Sequence, residues 1–151
     1  MADGPHPELP ASNDSPFVGV DRSTVAFGFD FTPLYRRVAM AWGITPGRAR
    51  VEVSHDELLV RFGPWSPRTA ISNVSATEIT GPYSVPKTIG PAHLSLVDRG
   101  VTFASNPRLG LCVQLRNAVP AIEPFGLIRH PALTVTVGDV EGLQNAVQAR
   151  L

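Results

Sequence analysis

Short segments in which apolar and polar residues alternate, separated by turns rich in proline and glycine, constrain the fold most strongly. The first segment places Val25, Phe27, Phe29 and Phe31 at every second position. A period of two residues is typical of a strand with one buried face. Similar segments recur at roughly ten-residue spacing, which favours an antiparallel sandwich or barrel of about seven strands over a parallel sheet. The segments span residues 24–31, 49–53, 58–62, 68–80, 94–96, 101–103, 109–116 and 133–137.

The turns between these segments carry signals of their own. His55 and Asp56 separate two alternating segments, which predicts a β-hairpin, and Asp98-Arg99-Gly100 predicts a second one. Within residues 68–80 the apolar positions are unevenly spaced, so we expect a bulge or bend near Asn73. Both hairpins bring neighbouring segments into antiparallel pairs.

Two further segments have the period of an amphipathic helix. Thr32 can cap the first, which spans residues 33–42 and ends before Gly43. Its expected apolar stripe comprises Leu34, Val38 and Trp42. Asp139 can cap the second helix, which follows the last strand. The expected apolar face of this helix comprises Val140, Leu143, Val147 and Leu151. A sheet rolled into a small barrel has an open end, and one helix with an apolar face is enough to cover it.

Charge is divided unevenly along a chain whose 13 Lys+Arg balance 13 Asp+Glu. Residues 1–21 contain no Lys or Arg and carry a net charge of −4, whereas residues 22–151 hold 13 basic and 9 acidic side chains, a net +4. The acidic residues of the first segment are Asp3, Glu8, Asp14 and Asp21. Because residues 1–21 are also rich in proline and poor in apolar side chains, we expect a flexible acidic arm before a single domain at 22–151.

Composition excludes several classes of protein. A net charge of zero argues against a nucleic-acid binder. The lone Cys112 cannot form an internal disulfide, and no apolar run approaches the roughly 20 residues that span a bilayer. We therefore expect a soluble, cytoplasmic protein.

No arrangement of residues signals catalysis or metal binding. His6, His55, His93 and His130 are spaced unlike any metal motif. The sequence contains neither a G-x-S-x-G nucleophile motif nor a P-loop nor a G-x-G-x-x-G loop. We therefore expect no catalytic residues, no metal and no cofactor.

One cluster of basic residues is a candidate binding surface. Between Phe31 and Val51 the chain has four arginines and no acidic residue. The four are Arg36, Arg37, Arg48 and Arg50. Beside an anionic membrane each could contribute on the order of 1 kcal/mol, with Trp42 as the apolar anchor that stable attachment requires. The alternative is a solvated face with Trp42 in the core and the acidic arm folded over the arginines.

The loop at residues 81–91 offers a second candidate surface, because three prolines and two glycines prevent a regular element there. Aromatic and cationic side chains could line one rim of this loop and bind a small ligand. These side chains are Trp65, Arg68, Tyr83 and Lys87. The alternative is that the same side chains only hold the loop against the domain.

The sequence resembles bacterial pleckstrin-homology-like (PH-like) proteins over residues 49–151. The run LLVRFGPWSPRTAISNVSATEI is similar to their strand, tight break and returning strand, and TVTVGDVEGLQNAVQARL is similar to their last strand and capping helix. The phrases RFGPW, GPY and RHPALTVTV also resemble short proteins of unknown function from GC-rich bacteria. The resemblance implies a mainly β (α+β) fold: an antiparallel barrel capped by a C-terminal helix, here with an extra N-terminal strand and short helix.

The chain departs from the lipid-binding PH-like pattern at the first hairpin loop. Phosphoinositide-binding members carry Lys and Arg there, whereas this loop has His55 and Asp56. The extra strand and helix at residues 24–42 also leave open a helix-grip fold, which encloses a hydrophobic cavity.

Three functions follow from these expectations. The first is a non-catalytic PH-like binding or assembly module that acts through protein contacts, as a homo-oligomer or with a protein partner. The alternative is a binder of a hydrophobic small molecule or lipid in a helix-grip cavity. The third is weak peripheral contact with an anionic membrane.

Overall fold

The computed structural model describes residues 23–83, 92–94, 99–123 and 125–151. The expected acidic arm and Lys87 therefore lie outside the described residues. Within them the chain is mainly β with two α-helices, as predicted for an α+β protein. The strands are β1 Val25–Gly28, β2 Arg50–Val53, β3 Glu57–Arg61, β4 Arg68–Ala70, β5 Val74–Thr80, β6 His93–Leu94, β7 Val101–Phe103, β8 Gly110–Pro120 and β9 Arg129–Val135. The helices are α1 Pro33–Ala41 and α2 Val140–Gln148, with one 3-10 turn at Ile71–Asn73.

The first sheet has the strand order β1-β2-β3-β4, and all its pairs are antiparallel. Alternation along β2 and β3 puts one face of each strand in the core, where Val51 lies opposite Val60. The turn at His55 and Asp56 is closed by the Ser54 N–H, which donates to the Glu57 carbonyl at 2.9 Å. The predicted hairpin is confirmed.

The second sheet has the order β5-β8-β9-β7-β6, and one of its pairs differs from the prediction. Strands β7 and β9 are parallel, with Val101 opposite Leu133, whereas an antiparallel arrangement was expected throughout. The reason is the position of β9, which returns between β8 and β7 rather than at an edge. Strands β7 and β8 run in opposite directions. Strand β9 is antiparallel to β8 and is therefore parallel to β7.

A sharp bend carries the chain from one sheet to the other. The expected bend near Asn73 is a 3-10 turn that separates β4 from β5. Asn73 fixes this corner to β8, because its amide accepts from the Asn117 N–H at 2.9 Å and donates to the Asn117 carbonyl at 2.8 Å. At the opposite side a single bridge pairs Phe29 with Val137. The described strands thus form two open sheets rather than one closed barrel.

Aromatic rings fill the space between the sheets. The ring of Phe62 lies 4.8 Å from that of Phe29 and 5.6 Å from that of Phe103, measured between centroids. Aliphatic side chains of β2, β3, β8 and β9 surround the rings. A helix-grip fold would leave a hydrophobic cavity between sheet and helix, whereas packed phenylalanine rings occupy the centre of this core.

Helix α2 begins as predicted. The Asp139 side chain accepts a hydrogen bond from the Gly142 N–H at 2.8 Å. The helix buries Val140, Leu143 and Val147 and lies against β5, where Gln148 Nε2 donates to Thr77 Oγ1 at 3.1 Å. The predicted apolar face continues to Leu151, but that residue lies beyond the helix and is exposed.

Helix α1 presents a different face to the core from the one predicted. Its buried residues are Tyr35 and Ala39, whereas Leu34 and Trp42 of the expected stripe are 51% and 58% exposed. The turn after the helix explains the difference, because the Ile44 N–H donates to the Ala39 carbonyl at 2.9 Å and Ile44 is fully buried. This turn fixes the side of α1 that faces the sheets.

Strands β8 and β9 are longer than the sequence pattern indicates. β8 continues to Pro120 and β9 begins before Pro131, so both strands extend into residues 117–132, which lie between the predicted segments 109–116 and 133–137. Leu109, the first residue of the predicted segment 109–116, precedes β8 and is 46% exposed. A register shift between Gln114 and Val119 accommodates the longer pairing.

Candidate functional site

The four arginines of the predicted basic cluster line two separate depressions. Arg36 and Arg37 lie on α1, are exposed and line a depression of about 300 Å³ together with Met40. Arg48 and Arg50 line another depression of about 420 Å³ between β2, β3 and the turn after α1. The structure thus divides the predicted cluster into two pairs.

The second depression, here called the cationic depression, gains a third arginine from the sheet register. Arg61 on β3 lies directly opposite Arg50 on β2. The remaining lining residues are small or carry hydroxyl groups: Gly43, Thr45, Gly63 and Ser66. Arg61 was not among the predicted site residues. Its position opposite Arg50 nevertheless follows from the predicted hairpin, because a two-residue turn fixes which residues face each other.

Glu52 lies between two of these guanidinium groups. Its Oε1 accepts from Arg50 Nε at 2.5 Å and from Arg61 Nε at 3.2 Å. Partial burial acts to raise the pKa of Glu52, but the hydrogen bonds and positive charges of the two arginines outweigh burial, so this pKa lies below its ordinary value. With one carboxylate against three arginines, the depression keeps a positive charge.

Trp65 lines an apolar groove on another part of the surface. Its indole Nε1 donates to the Ile122 carbonyl at 2.8 Å, which joins the turn after β3 to the segment after β8. The groove has a volume of about 610 Å³. Its other apolar lining residues are Pro64, Pro67, Pro120, Ala121, Ile122 and Phe125.

An apolar loop stands beside this groove. Phe125 and Leu127 are 81% and 83% exposed, and the adjacent Ile128 is also exposed. Glu123 holds the loop in shape, because its carboxylate accepts from the N–H groups of Phe125 at 3.0 Å and Ile128 at 2.8 Å. Clustered exposed apolar side chains mark interaction surfaces more often than scattered ones. This part of the sequence has no helical or strand period, so neither the loop nor the groove was predicted.

The other residues of the predicted loop rim lie against different elements. Tyr83 donates its backbone N–H to the Pro107 carbonyl at 2.7 Å, and its hydroxyl is hydrogen-bonded to Thr80. Burial raises the pKa of the Tyr83 hydroxyl above its ordinary value, although the bond to Thr80 acts in the opposite direction. Arg68 is exposed on β4.

A buried polar network joins segments that are far apart in the sequence. Ser105 Oγ donates to the Asp30 carbonyl at 2.8 Å or to the Thr136 carbonyl at 2.9 Å. Asn106 Nδ2 also donates to the Asp30 carbonyl, at 2.9 Å, and the Asp30 carboxylate pairs with Arg108. These contacts hold the start of α1 against the second sheet. The contacts of Asp30 span more than 70 positions and the contact between Ser105 and Thr136 spans 31, so no local pattern could reveal them.

His130 and Cys112 lie on the neighbouring strands β9 and β8 of the second sheet. His130 is fully buried, with Nδ1 2.9 Å from the Arg99 carbonyl oxygen, and Cys112 is partly buried on β8. Across the described ranges, no group of three or more His, Cys, Asp or Glu side chains is arranged to hold a metal ion. Neither helix in the described part of the chain is long and apolar enough to cross a membrane.

Comparison of the chain with protein-family models, with curated proteins and with solved structures finds no match.

Proposed function

We propose that this chain is a non-catalytic PH-like binding module that acts through protein contacts and assembles with a second copy of itself. The observation that carries this proposal is the apolar loop at Phe125, Leu127 and Ile128 beside the apolar groove at Trp65. Exposed aromatic and aliphatic side chains of this kind form the centres of protein interfaces.

The arrangement of loop and groove suits a symmetric dimer. In a two-fold interface the same patch occurs on both partners, so a projecting part must lie next to a recess that can receive its counterpart. Leu127 projects from the loop, and the groove lined by Pro64 and Pro120 lies next to it. Two copies related by a two-fold axis could each insert Leu127 into the groove of the other.

The order of elements supports the PH-like part of the proposal. A four-stranded antiparallel sheet is followed by a bend into a second sheet, and a helix closes the chain after the last strand. The resemblance over residues 49–151 covers these elements except β1, which precedes it.

The native mass of the purified protein tests the proposed assembly. We expect a dimer for the wild-type chain and a monomer for Leu127→Ser. Leu34→Ser is the matched control, because Leu34 is also an exposed leucine but lies on α1. The proposal is wrong if the wild-type chain is monomeric at all concentrations tested, or if both substitutions dissociate the dimer equally.

Contact with an anionic membrane is a second candidate function, favoured by the exposure of α1. Trp42 and Met40 are each 58% exposed; Met40, Arg36 and Arg37 lie on α1, and Trp42 follows the helix directly. An apolar anchor with adjacent cations is the combination that peripheral attachment requires.

Sedimentation with vesicles tests this second candidate. We expect binding to phosphatidylglycerol vesicles, none to phosphatidylcholine vesicles, and a loss of binding in Trp42→Ser. Leu109→Ser is the control, since Leu109 is exposed away from α1. Equal binding by the two variants would contradict a role for Trp42.

A further inference from the structure

The acidic arm at residues 1–21 has a net charge of −4, and the cationic depression holds three arginines against the single carboxylate of Glu52. We infer that this arm docks on the cationic depression of the same chain. The inference is independent of the proposed assembly, which uses the apolar loop and groove on another part of the surface.

The cationic depression has more positive charge than its own contacts neutralise. Arg50 and Arg61 share the single carboxylate of Glu52. Arg48 is exposed and has no ion pair or side-chain hydrogen bond among the described residues. Guanidinium groups bind carboxylates well because their N–H donors match the two carboxylate oxygens. Glu52 alone does not use all the guanidinium N–H donors of the depression, so an acidic segment would find unused donors there.

Several other arginines already use their guanidinium groups. Arg108 pairs with Asp30, and Arg129 donates to the Ala118 carbonyl at 3.2 Å. Arg150 donates to the carbonyls of Ala146 and Ser23. The strongest competitor is the exposed pair Arg36 and Arg37, which serves below as the control.

The arm is connected to a strand that leads toward the cationic depression. It precedes β1, the edge strand of the first sheet, in which Val25 lies opposite Val53 and Gly28 lies opposite Arg50. Arg50 is thus about 10 Å along β1 from Val25. Asp21 precedes Val25 by four residues and can lie up to about 14 Å from it. The arm is therefore long enough for several of its carboxylates to reach the depression.

The outward face of β1 between Val25 and the cationic depression carries only small side chains. Ala26 and Gly28 are the β1 residues opposite Glu52 and Arg50, so they share the outward face of the sheet. Both are small and exposed, and a Cβ added at Gly28 would meet no atom within 4 Å. A segment folding back over β1 would meet no bulky side chain on this route.

Tethering makes weak ion pairs sufficient for docking. Exposed ion pairs are individually weak, but attachment to the same chain gives the arm an effective concentration on the order of millimolar. Charges that attract across water are screened over about 8 Å at physiological ionic strength. Docking of the arm should therefore weaken steeply as salt is added.

Paramagnetic broadening in the full-length chain tests the inference. A nitroxide is attached at Ser15→Cys in a Cys112→Ser background, and the amide signals are recorded by NMR. At low salt we expect broadening concentrated at Gly43, Gly63 and Ser66, which line the depression. The broadening should fall at least about threefold when NaCl is raised to about 0.5 M.

Two charge variants separate the possible docking sites. Arg48→Glu should reduce the broadening at least about threefold, whereas Arg36→Glu, which reverses an equally exposed arginine on α1, should leave it unchanged. A full-length arm with Asp3→Asn, Glu8→Gln, Asp14→Asn and Asp21→Asn should lose the broadening while the domain signals keep their positions.

Other results overturn the inference. Broadening spread evenly over the domain would mean that the arm does not dock, and broadening at Phe125 to Ile128 would place it at the apolar groove. A mixture of nitroxide-labelled and separate ¹⁵N-labelled molecules tests for exchange between copies. Equally strong broadening in that mixture would show that the arm binds a second copy rather than its own chain.

Discussion

The indole of Trp65 and the carbonyl of Ile122 are joined by a 2.8 Å hydrogen bond across 57 positions of sequence. This bond ties the two sides of the apolar groove together, because Trp65 follows β3 and Ile122 follows β8. A groove with sides fixed in this way loses little conformational entropy when a partner binds. The geometry of the proposed interface therefore depends on a residue that is itself only partly exposed.

Replacing Trp65 by phenylalanine should weaken both the fold and the proposed dimer. The substitution leaves the Ile122 carbonyl without its donor, which we expect to lower the free energy of unfolding by about 1–3 kcal/mol. Urea unfolding measures this loss, and native mass measures the dimer. Trp42→Phe is the control, because Trp42 is exposed, and it should change stability by less than about 0.5 kcal/mol. Equal losses in the two variants would contradict the role assigned to the Trp65 hydrogen bond.

Removing the hydroxyl of Ser105 should destabilise the fold although the side chain is small. Ser105→Ala deletes a buried donor and leaves the carbonyls of Asp30 and Thr136 with fewer partners, at a cost of about 1–3 kcal/mol. A double-mutant cycle with Thr136→Val should give a coupling energy of about 0.5–3 kcal/mol, because the two hydroxyls lie 3.0 Å apart. Ser75→Ala, at an exposed position of β5, is the matched control. Additive effects of the Ser105 and Thr136 substitutions would show that the hydroxyls act independently.

The stability that Glu52 contributes should depend on pH. Arg50 and Arg61 hold the pKa of Glu52 below its ordinary value in the folded chain, so the ionised form is favoured there more than in the unfolded chain. The contribution is complete above the unfolded pKa of about 4.3 and is lost as pH falls through the folded pKa. Unfolding measured from about pH 3 to pH 7 should therefore show a gap between wild type and Glu52→Gln that widens with rising pH. A gap that is constant or largest at low pH would contradict the ion pairs described here.

Gly142→Ala tests the cap of α2. Alanine normally stabilises a helix by about 1 kcal/mol relative to glycine. At this position, however, the new Cβ would overlap the Asp139 carboxylate, and the cap that this carboxylate provides is also worth about 1 kcal/mol. We expect little net change in the wild-type chain and a gain of about 0.5–1 kcal/mol in an Asp139→Ala background, measured by thermal unfolding. A full gain in both backgrounds would mean that Asp139 and Gly142 do not compete for space.

Local sequence patterns predicted those elements that local contacts determine. The β2–β3 hairpin follows from alternation on both sides of His55 and Asp56, and α2 follows from a capping residue at Asp139. Helix α1 was placed correctly in the sequence, but its buried face was not. That face depends on the tight turn to Ile44, and the spacing of Leu34 and Trp42 contains no information about it.

The candidate surfaces were predictable only in part, because distant segments form them. Arg48 and Arg50 were identified from charge, whereas Arg61 joins them through cross-strand pairing. The apolar groove combines the turn after β3 with the segment after β8. Single-sequence periodicity describes neighbours along the chain, and both surfaces depend on neighbours in space.

The parallel pair of β7 and β9 constrains the order in which the domain can be completed. Strand β9 lies between β7 and β8, although both precede it in the chain. During synthesis β7 and β8 therefore emerge before the strand that joins them, and each exposes an unpaired edge that could associate with other chains. Pairings between distant segments of this kind form slowly because the intervening chain must first be ordered. The second sheet is thus vulnerable to aggregation until residues 129–135 have left the ribosome, and translation speed across that segment should influence the yield of folded protein.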